Sequence, residues 1–169
     1  MQNLKPHDQI QLLLGKLMEN FLELELVVRL FLHVCDQKNT GKSYSAVNHL
    51  KLNEGDTVDL SFMTNEQTLS ELIQKYNKIV SRLSHDLLLH EKLITLRNAI
   101  AHGRLLSQTN SSPPRLVNFG HTKKEKVKVL YVADLTEQWL KEQLGFTHSA
   151  FLKVIKANKM LGEVTIEPV

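Results

Sequence analysis

The sequence predicts a mainly α fold with one small β element late in the chain. Apolar residues recur at helical spacing in long runs near the start, the middle and the end of the sequence. Beyond Gly103 the period changes, and β-branched and aromatic residues cluster before the last helical run begins. With 169 residues, 42% of them hydrophobic, the chain is long enough for one proper core. One domain over residues 1–169 is expected, with a hairpin insertion over about 115–132.

The first helix is marked by Pro6 and Asp8. Ile10, Leu13, Leu14, Leu17, Phe21, Leu24, Val28 and Phe31 carry it to about Cys35, with Glu19, Glu23 and Glu25 on a solvated face. Arg29 and His33 read as a surface pair, one that could also border a functional groove. Gly41-Lys42-Ser43 superficially resembles a phosphate-binding loop, but Asp36 stands where the earlier glycine is needed and a helix precedes it instead of a strand. The segment reads as a turn, with Ser43 or Ser45 capping a short helix through about Leu52, and Asn53 to Asn65 reads as a loop.

Thr64 or Asn65 caps the next helix, which carries Leu69, Leu72, Ile73, Tyr76, Ile79, Val80 and Leu83. Ser84 and Asp86 restart the chain into a further helix that stops near Gly103. His85, Asp86 and His90 read as capping and surface residues, because His85 and His90 are five apart, poor spacing for a shared metal on one helix. After the polar loop Ser107 to Pro114, Arg115 to Phe119 and Lys126 to Val132 form the hairpin, with its turn at Gly120 to Lys124. Alternation sends Lys126 and Lys128 to one face and Val127 and Val129 to the other. Lys123, Lys124, Lys126 and Lys128 form the best candidate for an RNA-phosphate patch, or equally a charged edge that keeps a small sheet from aggregating. Asp134 or Thr136 caps the last helix, softened at Gly145 and ended by Gly162, with Lys153, Lys156 and Lys159 as a solvated basic ridge.

The net charge is only +3, with an isoelectric point near 8.9, so any nucleic-acid site must be a local patch. Cys35 is the only cysteine, which excludes an intrachain disulfide and fits a reducing cytoplasm. No apolar run is long enough for a membrane span, and the N-terminal residues lack the pattern of a signal peptide. No membrane role is expected.

The residues that need a chemical reason lie between Leu93 and Leu106, in LITLRNAIAHGRLL. Each helical residue turns the direction by roughly 100°, so Leu89, Leu93, Leu96 and Ile100 share a core-facing stripe. Leu87, Ile94 and Ala101 line the opposite side, with Arg97 on one flank and Asn98 and His102, four apart, on the other. A helix apolar on two faces is normally covered on both, so the second face is expected to meet another helix or a second copy of the chain.

Arg97, Asn98 and His102, followed by Gly103, resemble the RX4-6H motif of HEPN domains, the higher eukaryotes and prokaryotes nucleotide-binding family. The resemblance implies an antiparallel helical bundle whose motif helices pair in a homodimer and, in many members, a metal-independent endoribonuclease without cofactor. It makes Arg97, Asn98 and His102 the candidate catalytic residues. Some toxins of that family carry, two residues after the histidine, a tyrosine that a partner nucleotidyltransferase modifies; this chain has Arg104 there, so that route of silencing is not implied. A toxin setting would add a protein antitoxin as partner.

The chemistry is consistent with those residue types. RNA carries its own nucleophile, so cleavage without a metal requires a group to take the 2′-OH proton and donors to stabilise charge on the phosphoryl oxygens. An imidazole, with an unperturbed pKa near 6.5, suits the first task, and the planar guanidinium fork suits the second. Asn98 would orient His102 or bind sugar or phosphate. The products would be a 2′,3′-cyclic phosphate and a 5′-OH. The alternatives are a noncatalytic nucleotide-binding, RNA-binding or regulatory dimer of the same family, and an unrelated helical interaction protein in which Arg97 pairs with a carboxylate and His102 serves the helix C-terminus.

Overall fold

A computed structural model describes residues 6–41, 52–107 and 112–161. Among them the fold is mainly helical with a small antiparallel sheet, in the order α1 (Pro6–Thr40), α2 (Leu69–Val80), a 3-10 turn (His85–Leu87), α3 (Lys92–His102), β1 (Arg104–Leu106), β2 (Arg115–Lys123), β3 (Lys126–Asp134) and α4 (Glu137–Met160). The chain forms two compact units, one from Met1–Glu23 with Leu89–Phe151 and the other from Leu24–Leu88 with Leu152–Val169. Both α1 and α4 contribute to each.

In the first unit the apolar face of α1 buries Leu13, Leu17 and Phe21, while α3 buries Leu93, Leu96 and Ala99. Leu116, Val117, Leu135, Leu140 and Ala150 complete this core. Asn20 on α1 donates to the buried Thr147 hydroxyl on α4 at 3.0 Å, and that hydroxyl reaches the Gln143 carbonyl one turn back at 3.0 Å. A polar pair inside the core is thereby satisfied.

In the second unit Leu24, Val28, Phe31 and Leu32 of α1 are buried, as are Leu69, Leu72, Ile73, Tyr76 and Val80 of α2. The Phe31 and Tyr76 rings meet edge to face, with centroids 4.9 Å apart. Arg29, taken from sequence as a surface residue, is instead a hub. Its side chain is only 12% exposed; it pairs with Glu25 at 2.9 Å and donates to the Phe62, Asn65 and Gln67 carbonyls and to Asn65 Oδ1. It organises the turn before α2, and Glu25 is its counter-ion.

Helix α2 begins four residues or so later than the Thr64 or Asn65 cap expected from sequence. Thr68 is the N-cap, in a reciprocal capping box with Glu71. The helix stops at Val80, so Leu83 lies beyond it and is exposed. Helix α1 runs past Cys35 to Thr40 and is ended by Gly41, whose φ of +65° is the left-handed conformation that glycine takes freely at a helix end. The short helix expected from Ser43 or Ser45 lies outside the described residues, as do Gly162 and residues 108–111 of the Ser107 to Pro114 loop. Helix α4 runs unbroken through Gly145, and Thr136 Oγ1 caps it by accepting from Trp139 N at 3.1 Å.

The largest difference from the sequence reading is the start of the motif helix. The chain does not enter it at Ser84 or Asp86; a 3-10 turn and an extended Leu88 come first, and α3 has only 11 residues. Side chains from elsewhere hold the carbonyls at this break: the Tyr76 hydroxyl donates to Leu87 O at 3.1 Å and Lys153 Nζ to Leu88 O at 3.0 Å. Lys153 is thus a structural donor rather than part of a solvated ridge. Two carbonyls engaged by side chains replace two helical bonds, and the first turn of α3 is completed by His90 Nδ1 accepting from Lys92 N at 2.9 Å.

The sheet has three strands in the order β1-β2-β3, both pairings antiparallel. Strand β1 was not anticipated; it follows Gly103 directly and pairs Arg104 with Val117 and Leu106 with Arg115. The hairpin turn is not at Gly120, which lies inside β2, but at Lys124 and Glu125, with φ of 48° and 64° between the paired Lys123 and Lys126. Two left-handed residues in a two-residue turn match the twist of the strands. Register shifts at Asn118/Phe119 and Phe119/Thr122 interrupt the pairing of β2 with β3. Val127 and Val129 are each 48% exposed, and Lys126 and Lys128 are exposed as well.

Candidate functional site

Helix α3 positions the trio. Leu93, Leu96 and Ala99 bury one side, while Ile94 and Ile100 are half-buried. Arg97 is half-buried, and Asn98, Ala101 and His102 are exposed. Leu87, placed by sequence on the second apolar stripe, belongs to the 3-10 turn and is buried there. The second face is therefore weaker than expected, reduced to Ile94 and Ala101 beside the polar residues.

Arg97 and His102 come together: Arg97 Nη1 lies 3.5 Å from His102 Nε2, at an exposed end of the helix. Their five-residue separation is bridged by the length of the arginine side chain, which reaches along the last turn. Asn98 sits four residues before His102 on the same helix, hence one turn away on the same side. An imidazole nitrogen and a guanidinium nitrogen at this distance present one proton-transfer group and one fixed positive charge to the same small volume.

What holds this end in place is Gly103. Gly103 ends the helix as expected, with a φ of −74° and ψ of 169° that are ordinary extended values. The reason for glycine is close approach. A Cβ here would lie 2.2 Å from the Ala99 carbonyl oxygen and 2.7 Å from Leu116 Cδ1. The Gly103 N–H also donates to Ala99 O at 2.8 Å. The chain then passes without a loop into β1, where the Arg104 guanidinium lies over the Phe119 ring at 5.4 Å. Helix end and sheet thus fix the backbone on either side of His102.

The lysines occupy a separate place. Lys124, Lys126 and Lys128 are exposed on the hairpin, Lys124 in its turn, and the Lys123 backbone pairs with Lys126 at the tip. Strand β1 pairs with the opposite end of β2, and the seven residues from Val117 to Lys123 span about 20 Å of strand. Beside the lysines a groove of about 490 Å³ is lined by His121, Lys126, Lys128, Val127 and Leu130. His121 was not singled out from sequence; only the register shift in β2 brings it beside lysines of β3.

Among the described residues there is no cluster of three His, Cys, Asp or Glu side chains able to hold a metal ion, and no helix is long and apolar enough to cross a membrane. No family model, curated protein or solved structure matches the chain.

Proposed function

We propose that the chain is a HEPN-type, metal-independent endoribonuclease that acts as a homodimer in a reducing, cytoplasmic setting. The observation that carries the reading is the 3.5 Å approach of Arg97 Nη1 to His102 Nε2 at the exposed end of α3, with Asn98 one turn away. In the reaction, the ribose 2′ oxygen attacks the adjacent phosphorus and loses its proton to a His102 imidazole. The bond from phosphorus to the 5′ oxygen breaks, and that oxygen takes a proton as it leaves. Arg97 stabilises the charge gathering on the phosphoryl oxygens, and Asn98 orients the imidazole or the sugar.

One imidazole per chain suits only one of the two proton transfers at a time. A symmetric pair of chains meeting through the exposed side of α3, where Ile94 and Ala101 flank the polar residues, brings His102 of the partner subunit to the same groove. The hairpin lysines, about 20 Å of strand away, would take phosphates of the same RNA several nucleotides from the scissile bond. In a toxin setting, a protein antitoxin would cover this groove.

The noncatalytic alternative, a dimer that binds RNA or a nucleotide without cutting it, is favoured by the separate His121 and lysine groove. Incubating wild type and Arg97→Ala with structured and unstructured RNA in EDTA distinguishes the two. Cleavage by the wild type that falls at least 100-fold in the variant supports the nuclease. Salt-sensitive retention of intact RNA by both supports the binder.

A further inference from the structure

The second compact unit carries a cleft of about 300 Å³, at the small end of the range for ligand sites, and its composition calls for an anion. Its polar lining brings Lys75 and Lys78 of α2, and Arg82 just beyond the end of that helix, together with Asp36 and Asn39 of α1, and Phe62 supplies an aromatic wall. Among these described residues three cations stand against one carboxylate, an excess of two positive charges. Lys75 and Lys78 are one turn apart on α2 and Arg82 follows in the turn after it, so three like charges line the same cleft and repel one another. Glu71, the acid nearest to them on α2, is already committed to the Thr68 capping box. Lys75 lies over the Phe62 ring at 5.2 Å, which leaves Lys78 and Arg82 as the cations with neither a ring nor a carboxylate partner among the described residues.

We infer that this cleft binds a small phosphomonoester, its phosphate held by Lys78 and Arg82 and its flat or apolar portion lying along Phe62. The guanidinium of Arg82 offers two parallel donors to phosphoryl oxygens, and Lys78 adds a compact point charge. The Asn39 amide supplies a neutral donor at the rim. The repulsion between the cations costs stability in the free protein and is relieved when a dianion enters, so ligand binding and thermal stabilisation are coupled. The cleft belongs to a different unit from the α3 trio.

The test uses the full chain and two probes, inorganic phosphate and phenyl phosphate, titrated by calorimetry and followed by thermal unfolding. Wild type is expected to bind phenyl phosphate saturably and more tightly than inorganic phosphate, with a raised Tm. Lys78→Gln/Arg82→Gln is expected to lose at least tenfold in affinity for both while its unliganded Tm stays equal or rises, because repulsion has been removed. Phe62→Leu should weaken phenyl phosphate and leave inorganic phosphate unchanged. No saturable binding at millimolar probe, or equal affinity in wild type and the Lys78/Arg82 double variant, would overturn the inference. If inorganic phosphate bound as tightly as phenyl phosphate, the Phe62 part of the assignment would be overturned.

Discussion

The guanidinium of Arg97 and the imidazole of His102 face each other across 3.5 Å, yet neither is anchored by a carboxylate among the hydrogen bonds and ion pairs found on α3. A pair held only by its own helix contributes little to folding, since exposed polar contacts are worth at most a few tenths of a kcal/mol to about 1. Arg97→Ala is therefore expected to shift unfolding stability by no more than about 0.5 kcal/mol while lowering RNA cleavage at least 100-fold. A destabilisation of several kcal/mol would mean that Arg97 is structural.

Gly103 gives a prediction of the opposite kind. A methyl group there meets a backbone oxygen that the helix cannot move away, in addition to the Leu116 side chain. Gly103→Ala is expected to cost about 1 to 3 kcal/mol in urea unfolding and to displace the end of α3 from β1. Because His102 is the neighbouring residue, cleavage should fall more than the loss of folded protein explains.

The break before α3 rests on side-chain donors from two other helices. Tyr76→Phe keeps the ring contact with Phe31 but leaves the Leu87 carbonyl without its 3.1 Å donor, so a loss of about 1 to 2 kcal/mol is expected. Burial raises the Tyr76 hydroxyl above the usual phenol range, which favours the protonated, donating form. Lys153→Met should likewise destabilise by removing the donor to Leu88 O. Amide exchange across residues 84–91 reads both effects.

The capping box of α2 links stability to acid pH. The Glu71 carboxylate accepts from the Thr68 backbone N–H at 2.8 Å and the Thr68 hydroxyl at 2.9 Å, and these bonds, the backbone one first, hold its pKa below the ordinary value. A carboxylate with a depressed folded-state pKa contributes stability that is present above its unfolded pKa, about 4.3, and is lost as pH falls through the folded value. Stability measured from pH 6 downward should therefore decline below about pH 4.3, and less steeply in Glu71→Gln. Thr68→Ala should cost about 1 kcal/mol at neutral pH.

Much of this architecture is legible in the residues, because burial follows helical spacing. Leu13, Leu17, Phe21, Leu24, Val28 and Phe31 on α1 and Leu69, Leu72, Ile73, Tyr76 and Val80 on α2 are all buried. The failures have local causes. The apolar positions Leu89, Leu93 and Leu96 share one helical stripe with Leu87 close before them, yet donors from Tyr76 and Lys153, distant in sequence, take the Leu87 and Leu88 carbonyls where the helix breaks. The turn at Lys124 and Glu125 carries no glycine or asparagine to announce its positive φ values. Strand β1 has three residues, too few to show a period. In the candidate site helical spacing sets Arg97 and His102 on different flanks, and their approach depends on the reach of the arginine side chain, while the reason for Gly103 and the place of His121 depend on how β2 pairs, which no residue pattern displays.

The most direct measurement incubates purified wild type and His102→Ala with defined RNA in EDTA and identifies the product ends. The proposed chemistry requires wild type alone to cut, leaving 2′,3′-cyclic phosphate and 5′-OH termini, while the variant folds and dimerises normally. Equal cutting by both proteins, or 5′-phosphate products from the wild type, would contradict it.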